Sequence, residues 1–197
     1  MTTPFEKALA AIDAAHALDP NTHTLPDNTT MPYELHYAQA CTAYLAKRAP
    51  SAPDHVRLAV RAQHFQRWQV PRSTYPMTRA GYLAWRTFLQ HGQAEQVTAL
   101  CMRAGYDAAF AQRVGALMRK EGLRDGDEET QVLEDVACLV FLDDQFEAFE
   151  KAHDEEKVLR IVRKTWAKMT HKGHELALDM DMQGRRKELV DKALAQT

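Results

Sequence analysis

The stretch "TQVLEDVACLVFL", residues 130–142, decides the fold. As a helix its centre, "VACLVFL", is apolar on every side, so neighbours must cover it all round and it should be the most buried element of the chain. Two carboxylates, Glu134 and Asp135, stand directly against this run. Gln131, Asp135, Cys138 and Leu142 share one stripe, so polar groups run along one side into the core. A carboxylate entering a core is costly unless it is paired or holds a metal. Partners for both acids are therefore expected: an arginine, a histidine or a metal. The helix is expected to run from about Glu128 to Ala152, with Asp143, Asp144, Glu147 and Glu150 forming a solvated face.

Outward from this helix the pattern stays helical. Phe5, Leu9 and Ile12 recur at helical spacing behind a Thr cap and Pro4. A polar loop, "DPNTHTLPDNTTM", precedes a second helix opened by Pro32. A third is expected from a Ser51 cap to about Trp68, where Pro71 and Pro76 forbid continuation. A fourth runs from near Thr78 towards Ala104, with a break expected at Gly92 and an end at Gly105. Asp107 caps a fifth, through Glu121. Val158, Ile161, Val162, Trp166 and Met169 mark a seventh, and a short last helix closes the chain. No alternating strand pattern competes. The expected fold is all-α, a single-domain helical bundle over residues 1–197, with its core at about 32–177 and the terminal helices appended.

Composition supports one globular domain. The chain has 197 residues, 45% of them hydrophobic, with only eight Gly and eight Pro. A formal charge of −2 argues against a general nucleic-acid or membrane binder. No run approaches 18 apolar residues, so no membrane partner is expected. The first residues, "MTTPFEKALAAIDAAH", lack the basic start of a signal peptide. Three widely spaced cysteines fit a reducing compartment, and a cytoplasmic location is expected.

The small net charge hides two poles. Residues 55–94 contain no acid and six arginines, Arg57, Arg61, Arg67, Arg72, Arg79 and Arg86, whereas residues 125–156 hold thirteen acids and one base, Lys151. Either the poles pair inside the fold, or arginines left unpaired face a bound anion. Guanidinium forks match carboxylate and phosphate oxygens and also stack on rings. In the third helix Arg57, Arg61, His64 and Trp68 fall on a stripe beside the core stripe of Leu58, Ala62 and Phe65. There His64 is expected to be held neutral, as an ordinary half-buried histidine or as a base or metal ligand. Arg79, Tyr82 and Arg86 share a face of the fourth helix, and Arg67 and Arg72 flank the proline loop. His36 lies between Leu35 and Tyr37 in a core-forming helix. Two histidines and a late aspartate on separate helices, His36, His64 and Asp135, suit a divalent metal in a helical bundle. Zinc-type Cys/His spacing, a phosphate-binding Gly-rich loop and a nucleophile elbow are absent.

Two longer segments, "RLAVRAQHFQRWQVPRSTYPMTRAGYLAWR" and "RVGALMRKEGLRDGDEETQVLEDVACLVFLDDQFEAF", resemble the family called domain of unknown function 4202, over about Pro32 to Ala177. Some members carry the label glutamyl-tRNA synthetase. This chain does not fit that label, being too short and without a nucleotide-binding sheet. More distantly, the layout is similar to the HD-domain phosphohydrolases, helical bundles whose metal is held by a His, a His-Asp pair and a late Asp. That resemblance puts His36, His64 and Asp135 in the first, second and last places. It departs from the pattern in Phe65, which stands where the paired Asp would be, and in Lys120, where many of these enzymes have a histidine.

The resemblance and the residues together give an expected function: an HD-like, metal-dependent hydrolase of a phosphorylated small molecule or nucleotide. His64, Glu134 and Asp135 are the expected catalytic residues. Arg67, Trp68, Arg72, Arg79, Tyr82, Arg86 and Lys120 would hold the anionic substrate, and His36, His64 and Asp135 a divalent metal ion. The alternative is a metal-free module on a degenerate HD-like scaffold that binds a small anion or RNA.

Overall fold

The computed structural model describes residues 2–25 and 27–195. Ten α-helices and one short hairpin follow in the order α1 (Pro4–His16), β1 (Thr22–Thr24), β2 (Thr30–Pro32), α2 (Tyr33–Arg48), α3 (Asp54–Arg61), α4 (Arg79–Ala104), α5 (Ala108–Met118), α6 (Glu128–Val140), α7 (Phe146–Lys151), α8 (Glu155–Trp166), α9 (His171–Leu178) and α10 (Gly184–Leu194). The fold is all-α. No described helix is long and apolar enough to cross a membrane.

Local chemistry sets most helix ends. Thr3 and Glu6 form a reciprocal capping box at α1, with Pro4 in the first turn. Asp107, Asp127, Asp154 and Thr170 cap α5, α6, α8 and α9 through their side chains. Gly105, at φ 109°, ends α4 in the left-handed conformation that glycine adopts without strain. Gly92 does not break α4, which runs unbroken for 26 residues.

One continuous core joins these helices, and α6 sits within it. Leu133, Val136, Leu139, Val140 and Leu142 are each 1% exposed or less. On elements packed around them, Leu58, Val60, Val97, Val114, Leu117 and Val158 are fully buried.

The structure corrects the sequence reading in four places. First, α3 ends at Arg61, not near Trp68, and Ser51 does not cap it; Pro53 stands at the cap position. The chain then tightens through short turns, with Phe65 N–H donating to Ala62 O and Arg67 N–H to His64 O. His64 and Gln66 take φ of 64° and 50°, which no helix accommodates. Second, the long helix expected from Glu128 to Ala152 contains one π turn, Phe141–Gln145, between α6 and α7. Such a turn inserts a residue and rotates the side chains beyond it. Third, that rotation removes Asp144 from the solvated face: its carboxylate is only 12% exposed and lies 2.6 Å from His36 Nε2. Asp143 remains exposed but accepts a hydrogen bond from Tyr44 at 2.8 Å. Fourth, the polar loop holds an antiparallel hairpin, pairing Thr22 with Pro32 and Thr24 with Thr30.

Candidate functional site

A cavity of about 750 Å³ opens between the segment after α3, helix α4, and α6 with its π turn. Its apolar lining comes from Leu89, Leu117, Met118, Leu133, Ala137 and Phe141. Five cations line it, Arg67, Arg72, Arg86, Lys120 and Lys168, with three carboxylates, Asp19, Glu34 and Glu134. With His64 neutral, two positive charges remain in excess.

The turn after α3 delivers His64, Arg67 and Trp68 to this cavity. Tyr37 of α2 stacks on the His64 ring, centroids 4.1 Å apart. Arg67 Nη1 donates to His64 Nε2 at 2.8 Å. A guanidinium has no lone pair to offer, so that ring nitrogen is the acceptor and the His64 proton sits on Nδ1. Burial first, then the charges of Arg67 and Lys120, hold His64 well below the usual histidine value. It is neutral at physiological pH. The Arg67 guanidinium packs over Trp85, 4.6 Å from the ring centre. The Trp85 N–H donates to Val70 O at 2.8 Å and fixes the ring. Glu34, buried at the start of α2, accepts the backbone N–H of Trp68 at 3.0 Å.

Arg72 organises the proline loop, donating to Tyr75 O at 2.9 Å, Pro76 O at 2.7 Å and Thr78 O at 3.3 Å. Pro76 O also presses on Gly81: a Cβ built there would lie 2.2 Å from it. Only glycine lets the loop close onto the first turn of α4. Beyond it, Tyr82 and Arg86 reach the cavity mouth, with Arg86 5.7 Å from the Tyr82 ring centre.

On the opposite wall Glu134 is 4% exposed and takes Lys120 Nζ on Oε2 and Lys168 Nζ on Oε1, the latter at 3.2 Å. Burial works to raise its carboxyl, and the two lysines outweigh it, so Glu134 lies below the ordinary value and is ionised. Lys120 holds φ of 56°. Of the four described non-glycine residues at positive φ, His64 and Lys120 line the cavity, Gln66 directly precedes Arg67, which lines it, and Asn28 lies in the hairpin loop away from it. Strain of this kind persists only where surrounding contacts enforce it, and it gathers at functional sites.

The expected residues divide clearly. The cavity brings together His64, Arg67, Trp68, Arg72, Tyr82, Arg86, Lys120 and Glu134. Arg79 is exposed at the start of α4 and does not line it. Among the described residues, His36, His64 and Asp135 do not gather as a metal-ligand set. Asp135 is fully buried with its oxygens already taken: Arg48 Nε at 2.6 Å, the Thr170 backbone N–H at 2.9 Å and hydroxyl at 2.5 Å, and Gln131 Nε2 at 3.1 Å. The His64 nitrogen facing Arg67 is likewise occupied by a cation, which repels a metal. His36 stacks on His23 and faces Asp144. Phe65, where an HD pattern would place an aspartate, packs edge-on to His16 in the core.

The two charged poles do not pair as blocks. Arg57 meets Asp54 and Arg61 meets Asp13, both outside the acidic run. That run is met instead by Arg48, Arg113, Lys120, Lys168 and Arg186, together with His55 from the basic segment. Among the described residues Arg67, Arg72, Arg79 and Arg86 pair with no carboxylate; the contacts of Arg67, Arg72 and Arg86 are His64, loop carbonyls and aromatic rings. Two buried donors on the cavity wall, Trp68 Nε1 and Gln93 Nε2, also lack a hydrogen-bond partner among the described residues. Lys168, Gln90 and Gln93 line the cavity and were not expected from the sequence. Lys168 carries no local signal, because only the bend between α8 and α9 brings it to Glu134.

The family model described as "Domain of unknown function (DUF4202)" matches residues 6–190. No curated protein and no solved structure matches the chain.

Proposed function

The chain belongs to the DUF4202 family, and we propose, from the cavity itself, that it binds a phosphorylated small molecule of nucleotide size. The observation that carries this reading is Arg67: a guanidinium partly buried in the cavity and facing no carboxylate. A cation withdrawn from water without a counter-ion is costly, and an anionic ligand supplies the missing charge. Trp68 Nε1 and Gln93 Nε2 offer two donors that an oxygen-rich ligand satisfies. Rings from Trp68 and Tyr82 on the cavity lining give a planar group surfaces to pack on. A volume of about 750 Å³ lies within the ordinary range for such ligands.

Calorimetric titration with inorganic phosphate, sugar phosphates, nucleoside phosphates and a single-stranded RNA tests this. At least one small phosphate ester should bind. Replacing Arg67 with Met removes charged hydrogen bonds worth about 1.5–3 kcal/mol each, or about 10–150-fold in Kd. Arg86→Glu should also weaken binding, whereas Arg79→Glu should not. The reading fails if no small ester binds, if only RNA binds, or if Arg79→Glu weakens binding as much as Arg67→Met does.

A hydrolytic role is the second reading, and His64 favours it. A phosphate that draws Arg67 away releases His64 Nε2, a neutral imidazole nitrogen suited to take a proton from water. Phosphate release from the bound ester, abolished in His64→Asn while ligand affinity persists, is the expected result. An ester that binds and is never turned over leaves the protein as a binding module.

A further inference from the structure

Away from the cavity residues, three side chains from separate elements converge: His23 of β1, His36 of α2 and Asp144 of the π turn. Each offers one ligand atom, and the three atoms lie within 4.8 Å of one another. His36 Nε2 and Asp144 Oδ1 are 2.6 Å apart. The two imidazoles are nearly parallel, 3.6 Å between centroids at 7°. The second carboxylate oxygen, Asp144 Oδ2, is buried and has no hydrogen-bond partner among the described residues. A carboxylate oxygen left so is an expensive feature for a fold to keep. We propose that His23, His36 and Asp144 bind a divalent first-row transition ion, with Zn²⁺ as the reference ion.

The donor set selects the ion. Two imidazole nitrogens and one carboxylate suit Zn²⁺ and its neighbours, whereas Mg²⁺ and Ca²⁺ prefer an all-oxygen shell. Tetrahedral ligands at about 2.0–2.1 Å from zinc stand about 3.3 Å from one another. Bringing ligand atoms at most 4.8 Å apart to that spacing requires side-chain rotation of half-buried residues on the hairpin and the π turn. Asp144 Oδ2 then gains a charge to face, and water completes the shell.

The placement gives the ion a consequence. Asn21 precedes β1, Tyr33 follows β2 and Gln145 follows Asp144; all three line the cavity. Gln145 Nε2 donates to the Tyr33 hydroxyl at 2.8 Å. An ion on His23, His36 and Asp144 therefore pins hairpin, α2 and π turn together and orders one wall of the cavity.

The test uses metal alone, so its outcome is independent of what the cavity binds. Full-length protein freed of metal by chelation is titrated with Zn²⁺ against a chromophoric chelator, and with Mg²⁺ in parallel. The expected result is one Zn²⁺ per chain and no Mg²⁺. Co²⁺ loading should give the absorption bands of an ion held by nitrogen and oxygen. Losing even an outer-sphere partner of a metal ligand costs about 10–100-fold in affinity, so His23→Ala and Asp144→Asn should each weaken Zn²⁺ binding by about tenfold or more. His171→Ala, at a highly exposed histidine, should bind as the wild type. Circular dichroism confirms that each variant folds; His23→Asn replaces His23→Ala if the hairpin variant does not. Wild-type stoichiometry no higher than that of the His23/Asp144 double variant, or undiminished affinity in His23→Ala, overturns the proposal.

Discussion

Asp135→Asn removes one negative charge from the most buried carboxylate of α6 and leaves its shape intact. In the wild type Asp135 ties three helices: Arg48 at the end of α2 donates to Oδ2 at 2.6 Å, and Thr170 at the start of α9 donates through both backbone and hydroxyl. Asparagine keeps one acceptor for the Thr170 N–H but turns an amide NH₂ or a neutral oxygen towards Arg48. That guanidinium, whose side chain is 17% exposed, is left without its counter-charge. Breaking a buried pair in this way costs about 3–5 kcal/mol, and the partial exposure of Arg48 points to the lower end, about 3 kcal/mol. For a chain of this length 1 kcal/mol shifts Tm by about 2–4 °C, so a fall of about 6–12 °C is expected in differential scanning calorimetry. Little of the loss should be recovered or enlarged by salt, because the pair is shielded from screening. The Arg48→Met/Asp135→Asn double variant should be more stable than Asp135→Asn alone, since no cation is then stranded. Zn²⁺ affinity should not change, because Asp135 is no part of the His23 cluster. A Tm within 2 °C of wild type, or strictly additive losses in the double variant, refutes the reasoning.

Three further outcomes follow from the same geometry. His64 has a folded-state pKa below its unfolded one, so the unfolded chain takes up its proton first as pH falls. The His64 contribution is therefore intact above the unfolded histidine range of about 6.5 and is lost as pH drops towards the folded value. Wild type should lose Tm below about pH 6.5 more steeply than His64→Asn, a substitution that tolerates the left-handed backbone; superimposable acid limbs would contradict this. Gly81→Ala drives a methyl into Pro76 O, and it should lower Tm and weaken phosphate-ester binding together by displacing the Arg72 loop; unchanged binding would mean that the loop does not shape the cavity. Burial pushes the Cys41, Cys101 and Cys138 thiols up to about 12, 11 and 12, so a thiol reagent at neutral pH should label none of them in the native protein and all three in denaturant.

The parts of the fold that were legible in the sequence are those where local preference and tertiary need agree. The all-round apolar face of "VACLVFL" required the central position that α6 occupies, and Thr3, Asp107 and Gly105 mark helix ends by capping chemistry that any context would use. The acid-free run of residues 55–94 pointed to six arginines without separating them: Arg67, Arg72 and Arg86 line the cavity, and Arg57, Arg61 and Arg79 do not. What stayed hidden is where tertiary contacts override local preference. Nothing in "RAQHFQRW" signals a helix stop: there is no glycine or proline, and the chain turns only because His64 and Gln66 are forced to positive φ. Lys120 is held the same way, and the π turn after Val140 has no residue signature, yet it takes Asp144 out of solvent and gives it to His36. These departures are not scattered. Of the four described non-glycine residues at positive φ, two line the cavity, a third lies in the turn that delivers Arg67, and the fourth, Asn28, lies in the hairpin loop, where asparagine takes this conformation readily. The π turn places Phe141 and Gln145 on the same cavity while presenting Asp144 to the histidine cluster. A sequence folds most cheaply where its local and global preferences coincide. Conflicts of this kind around one charged, incompletely satisfied cavity are what the ligand site proposed there would leave in a fold.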